Sequence, residues 1–144
     1  MSMVHRVLLI KGWVADFLFA ERRYDTDGTL ACLRDADAPE WVLSEALDLM
    51  ENCTYDCGFT FSRRKRYSYA NPEKHRAVVL IGPTSSCGEF LDTLVHELRH
   101  LTDSIAKSNG VPLDSEEAAY ISGDTARELA DVIERFICRS VCNP

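Results

Sequence analysis

Ser86-Cys87-Gly88-Glu89-Phe90-Leu91-Asp92-Thr93-Leu94-Val95-His96-Glu97-Leu98-Arg99-His100-Leu101 is the stretch from which the rest of the chain is read. Ser86 and Glu89 have capping-box spacing, in which a serine and a glutamate three residues on satisfy free backbone N–H groups at a helix start. Leu91, Leu94, Leu98, Leu101 and Ile105 then recur at helical intervals as one apolar stripe. Asn109-Gly110, with Pro112 just beyond, is a stop signal, so a helix is predicted from the capping box to about Ser108.

Inside this helix lies His96-Glu97-Leu98-Arg99-His100, an H-E-x-x-H sequence. Residues four apart stand one turn above each other, so both imidazoles can reach one metal ion. The intervening glutamate then faces a metal-bound water and can take its proton. Zinc lowers the pKa of such a water from about 16 to about 7. The two histidines lie roughly 140° or more around the helix from the leucine stripe, at about 100° per residue. Core histidines would sit on the stripe; these do not.

A catalytic zinc takes three protein ligands and keeps one position open. His5 and His75 are the other two histidines, and neither has supporting spacing. The better source is Ser115-Glu116-Glu117-Ala118-Ala119-Tyr120, where Asp114 or Ser115 caps a last helix extending to about Cys138. Two glutamates compete. Glu117 stands three residues after Asp114, as the reciprocal partner of an N-cap, and shares a face with Asp124 and Glu128. Glu116 shares a face with Tyr120 and Gly123, beside Ala119, where small residues would allow close approach of the histidine helix; it is the favoured ligand. Tyr120 is a candidate hydrogen-bond donor to a developing oxyanion, or a tyrosine packed at a helix interface. Asp103 can orient a ligand imidazole through its outer N–H, or be an exposed helix carboxylate.

Working outward, Arg76 to Ile81 reads as the most buried strand and Gly58 to Phe61 as an alternating one. Arg66 to Tyr69 continues the strand pattern and Asn71 to Lys74 is a turn, so a hairpin is expected here. Asp37 to about Met50 reads as a helix capped by Asp37, with Pro39 in its first turn. Asp25-Thr26-Asp27-Gly28 is a turn signal, and Val4 to Ile10 is a strand. The segment from there to Phe19 has no clear period.

At 144 residues, 46% apolar and 27% charged, the chain is sized for one folded domain spanning 1–144. Its net charge of −7 argues against a dedicated nucleic-acid binder. The basic run Arg63-Arg64-Lys65-Arg66 reads as a solvated hairpin end rather than a contact for an anionic partner. No stretch approaches the roughly 20 apolar residues that cross a bilayer, and Lys11 and Asp16 interrupt the N-terminal apolar run, so neither a membrane span nor a signal peptide is expected. Six cysteines include two C-x3-C pairs, Cys53/Cys57 and Cys138/Cys142. The expectation is reduced thiols in a cytoplasmic protein, ahead of a four-cysteine zinc site.

The quoted residues resemble the HExxH…E (gluzincin-type) zinc metallopeptidases over about Ser86 to Arg127. More closely, Glu89-Phe90-Leu91-x-Thr93-Leu94-x-His96-Glu97-Leu98-x-His100-Leu101 with Glu116-x-x-Ala119-Tyr120-x-x-Gly123 is similar to small metallopeptidase-like proteins of bacterial and phage genomes. The resemblance implies an α+β, zincin-like domain. An N-terminal helix and a small mixed or antiparallel sheet would pack on two C-terminal helices carrying the metal site. It also implies Zn2+ held by His96, His100 and Glu116, Glu97 as general base, and a peptide or protein substrate. The alternative is a non-catalytic zinc-containing regulatory or binding protein of a phage or mobile element. Two features depart from the larger members: fifteen residues separate His100 from Glu116, and Tyr120 stands where an acidic residue is frequent.

Overall fold

A computed structural model describes residues 3–64 and 74–142. The fold is α+β, a four-stranded mixed sheet with five helices. Strand β1 (Met3–Ile10) turns through Lys11 and Gly12 into β2 (Trp13–Ala20). Both turn residues have positive φ, 45° and 86°. That is the backbone of the two-residue turn whose twist suits an antiparallel hairpin, and Ile10 pairs with Trp13 accordingly. The segment without a clear period is therefore a strand.

Helices α1 (Thr26–Asp35) and α2 (Glu40–Asn52) follow. The Asp25–Gly28 turn signal is the start of α1: the Asp25 carboxylate accepts from the Gly28 N–H at 3.0 Å as an N-cap. Asp37 does not cap α2. It lies between the two helices at φ 59°, and α2 begins after Pro39, which has no side chain to offer a hydrogen bond. Strands β3 (Gly58–Arg63) and β4 (His75–Ile81), both expected as strands, pair antiparallel, Gly58 opposite Ile81. The expected strand Arg66–Tyr69 and most of the Asn71–Lys74 turn lie outside the described residues. Arg63 is exposed and donates to the Asp37 carbonyl, so the start of the basic run ties β3 to the α1–α2 corner.

The sheet order is β1-β2-β4-β3, with β2 and β4 parallel and the other pairs antiparallel. Alternate residues of β2 and β4 face opposite layers. Trp13, Ala15, Phe17 and Phe19 with Ala77, Val79 and Ile81 meet helices α3 (Cys87–Ser108), α4 (Glu116–Glu128) and α5 (Ala130–Cys142). Leu18, Val78 and Leu80 meet α1 and α2 through Leu33, Val42 and Ala46. Two N-terminal helices thus cover one face and three C-terminal helices the other, in place of one and two. The expected last helix breaks at Leu129, which caps α4 before α5 begins. Phe136 of α5 stacks on Phe90 of α3, ring centroids 4.7 Å apart.

Cys53 and Cys57 are joined by a disulfide with Cα atoms 6.5 Å apart, against the expectation of reduced thiols. With those two sulfurs bonded to each other, a four-cysteine zinc site is not formed here; the side chains of Cys138 and Cys142 lie outside the described residues. Among the described residues no helix is long and apolar enough to cross a membrane.

A candidate metal and catalytic site on helix α3

Helix α3 starts as its sequence dictates, with the Ser86 hydroxyl accepting from the Glu89 N–H at 3.1 Å. It ends at Asn109, followed by Gly110 at φ 68°, the left-handed conformation that suits a helix stop. Between these ends Leu94, Leu98, Leu101 and Ile105 are buried, while Leu91 is 40% exposed and Phe90 takes its place in the core. His96 and His100 lie on the exposed face, off the stripe.

The two imidazoles converge. Their Nε2 atoms are 3.3 Å apart and the rings stand at 74°, edge to face. Two nitrogens each about 2.0–2.1 Å from a tetrahedral zinc would be separated by about 3.3–3.4 Å. The separation of the pair matches that of two nitrogens on one metal ion.

Glu97 makes its contacts with the sheet. It is 5% exposed and reaches from α3 to strand β3, where the Thr60 hydroxyl donates to its Oε2. The same hydroxyl lies 3.4 Å from the Glu97 backbone carbonyl. Gly58 sits against the other side of the carboxylate. A Cβ at position 58 would fall 2.7 Å from Glu97 Cγ and 2.9 Å from Oε1. Glycine here permits close approach of a strand to a side chain. Neither Gly58 nor Thr60 was singled out from sequence, although a glycine within a strand pattern is a signal of such an approach.

β3 and α3 border a cleft of about 420 Å3 whose walls include Gly58, Thr60, Glu97, His100 and Ser104. Ser62 and Ser104 bridge strand and helix with an O···O distance of 2.8 Å. Asp103 lines the same cleft, and its carboxylate accepts from Arg99 Nε at 2.9 Å, one turn back on α3. Its side chain is thus engaged with Arg99 rather than with a histidine ring.

Helix α4 is capped by Ser115, whose hydroxyl accepts from Ala118 N at 3.2 Å, not by Asp114. This removes the capping-partner role considered for Glu117: Glu116 and Glu117 are the first two helical residues, and both are exposed. The contact between α4 and α3 runs through Ser122, which donates to Thr102 at 3.1 Å. Ala118, Ile121 and Thr125 form the buried face of α4. Glu116 and Tyr120 lie on the opposite side, and Tyr120 is 64% exposed. Gly123 has open space where a Cβ would be.

Among the described residues, the group of three histidine, cysteine or acidic side chains whose ligand atoms all lie within 4.8 Å of one another is His5, Asp16 and Cys32. That group could hold a metal ion. The structure thus brings His96 and His100 together, places Glu97 beside the cleft, and leaves Glu116 outside that distance. Comparison of the chain with protein-family profiles, with curated proteins and with solved structures gives no match in any of the three.

Proposed function

We propose that this protein is a zinc-dependent hydrolase of zincin-like build, acting on peptide bonds, with His96 and His100 as metal ligands and Glu97 as general base. The observation that carries the reading is the 3.3 Å separation of the two Nε2 atoms on the exposed face of a helix that also carries Glu97. A zinc ion bound there supplies Lewis acidity and an activated water.

The chain's own residues do the rest. Glu97 receives and returns a proton; its carboxylate is fixed by Thr60 and confined by Gly58, so little orientation is lost when the proton moves. β3 is an edge strand of the described sheet and forms one wall of the cleft. Glu116 is the third ligand in this reading. Its assignment rests on the resemblance, since the buried face of α4 carries Ala118, Ile121 and Thr125 and Glu116 lies on the other side. Tyr120, one turn on, would donate to the oxyanion in this reading. The preference for a peptide over another acyl substrate rests on the resemblance, an analogy at the level of family.

The exposed setting of Glu116 and Tyr120 favours a second reading, in which the histidine pair holds metal in a regulatory or binding protein without turnover. One variant separates the two. Glu97→Gln should retain zinc at the wild-type level and lose hydrolysis of a mixed peptide library by about 10²–10⁴-fold. Equal cleavage by the variant and the parent would remove Glu97 from the mechanism. Metal bound to both with cleavage by neither would support the second reading.

A further inference from the structure

The face of the sheet opposite α3 carries a polar cluster that the hydrolase reading leaves unused. Asp16 of β2 is a carboxylate only 6% exposed. Its Oδ1 is 2.8 Å from His5 Nε2 on β1, and its Oδ2 is 3.4 Å from an Arg76 guanidinium nitrogen on β4. Cys32 of α1 completes the group, and its thiol is a free cysteine.

Each contact has a physical reading. Arg76 grips one carboxylate oxygen and so turns the other toward His5 and Cys32, the arrangement in which an outer group orients a ligand. Sulfur, imidazole nitrogen and carboxylate oxygen together match the donor set of zinc and cobalt and suit magnesium or calcium poorly. The thiol lies among carboxylates: burial, then Asp16 and Asp35, push its pKa up, Arg76 opposes them, and Asp25 adds to the rise. A cavity of about 550 Å3 opens beside His5 and Cys32 and gives a path from solvent.

We propose that His5, Asp16 and Cys32 form a second site, for a thiophilic divalent cation, on the sheet face away from the histidine helix. Binding converts the Cys32 thiol to a metal-bound thiolate and releases its proton to solvent. The cation would join β1, β2 and α1, three elements that meet at this corner, and leave a position open to the cavity.

The test is cobalt titration of the full-length chain, read by the sulfur-to-cobalt charge-transfer band in the near ultraviolet and by metal stoichiometry. The band should form in the parent and persist in a His96→Ala/His100→Ala variant, which has lost only the α3 pair. It should vanish in Cys32→Ser. Cobalt affinity should fall about tenfold or more in His5→Ala, the scale on which even outer-shell partners of a metal act. His5 is 46% exposed at its side chain, so that variant keeps the assay usable if Cys32→Ser does not fold. No band in the double histidine variant, a band that survives Cys32→Ser, or an unchanged affinity in His5→Ala would each overturn the proposal. The cluster would then be a buried carboxylate held between Arg76 and His5. The α3 pair is judged separately, since none of its proposed ligands is a sulfur.

Discussion

Replacing Gly58 by alanine adds one methyl group at the point where β3 meets the HExxH helix. The new carbon would sit 2.7 Å from Glu97 Cγ and 3.0 Å from Cδ. Carbon atoms in good contact lie about 3.5–4.0 Å apart, so the overlap is about 0.8 Å or more. Cγ is not the loose end of a side chain; it is the second carbon of a residue 5% exposed on a helix whose adjacent face, through Leu94, Leu98 and Leu101, is buried in the core. Either β3 shifts outward or Glu97 rotates away from Thr60. Overpacking of this kind costs about 1–3 kcal/mol. Displacing a general base costs up to the whole of its contribution, about 10²–10⁴-fold in rate. The expected result is a lower denaturant midpoint with unchanged slope, an unchanged zinc affinity, and a kcat reduced toward that of Glu97→Gln. Chemical denaturation, competition with a chromogenic chelator and peptide-library turnover measure the three quantities. The same exchange at Gly123 of α4, where nothing lies within 4 Å, should instead stabilise by about 0.5–1 kcal/mol as a helical glycine is replaced. A Gly58→Ala protein with the parent's midpoint would refute the reasoning about close packing, and one with the parent's kcat would refute the claim that this packing positions the base.

Glu116→Gln should weaken zinc binding by about tenfold or more, while Glu117→Gln leaves it unchanged; the reverse order, read by chelator competition, would transfer the ligand role to Glu117. Ser86→Ala removes the hydroxyl that accepts from Glu89 N and should cost about 1 kcal/mol in equilibrium denaturation. His75, which packs on the fully buried Trp13, is held below its ordinary pKa by burial and, second, by the Arg64 guanidinium. The folded state therefore prefers the neutral ring, and the unfolded chain takes up the proton first as pH falls. This contribution to stability is complete above the unfolded value of about 6.5 and is lost as pH falls through the folded value. Denaturation midpoints between pH 8 and pH 5 should decline less steeply in His75→Gln than in the parent; parallel curves would assign the acid sensitivity to other groups.

Local chemistry was legible wherever a motif closes within a turn or two of chain. The capping serine at 86, the stop at Asn109-Gly110 and the exposure of His96 and His100 off the leucine stripe all follow from spacing along one helix. So do the strands at Gly58–Phe61 and Arg76–Ile81. The reading failed where the environment, rather than the neighbouring residues, sets the pattern. β2 is buried on both faces, from Trp13 through Phe19 with Val14 alone less so, and a strand covered on both sides loses the alternation that marks strands in sequence. Asp25 to Gly28 carries side chains that serve a turn or an N-cap equally well, and only the helix that follows decides between them.

By itself, then, the sequence determined that two imidazoles and a carboxylate share one helix, with the imidazoles on its solvent side, because helical geometry is local. Tertiary structure decided what the carboxylate touches: Thr60 is 37 residues from Glu97 along the chain and meets it because β3 packs against α3. It also gathered His5, Asp16 and Cys32 from two strands and a helix, a grouping with no counterpart in spacing. Contacts of that kind depend on sheet order and on which face each layer of helices covers, and neither quantity is written in any single segment.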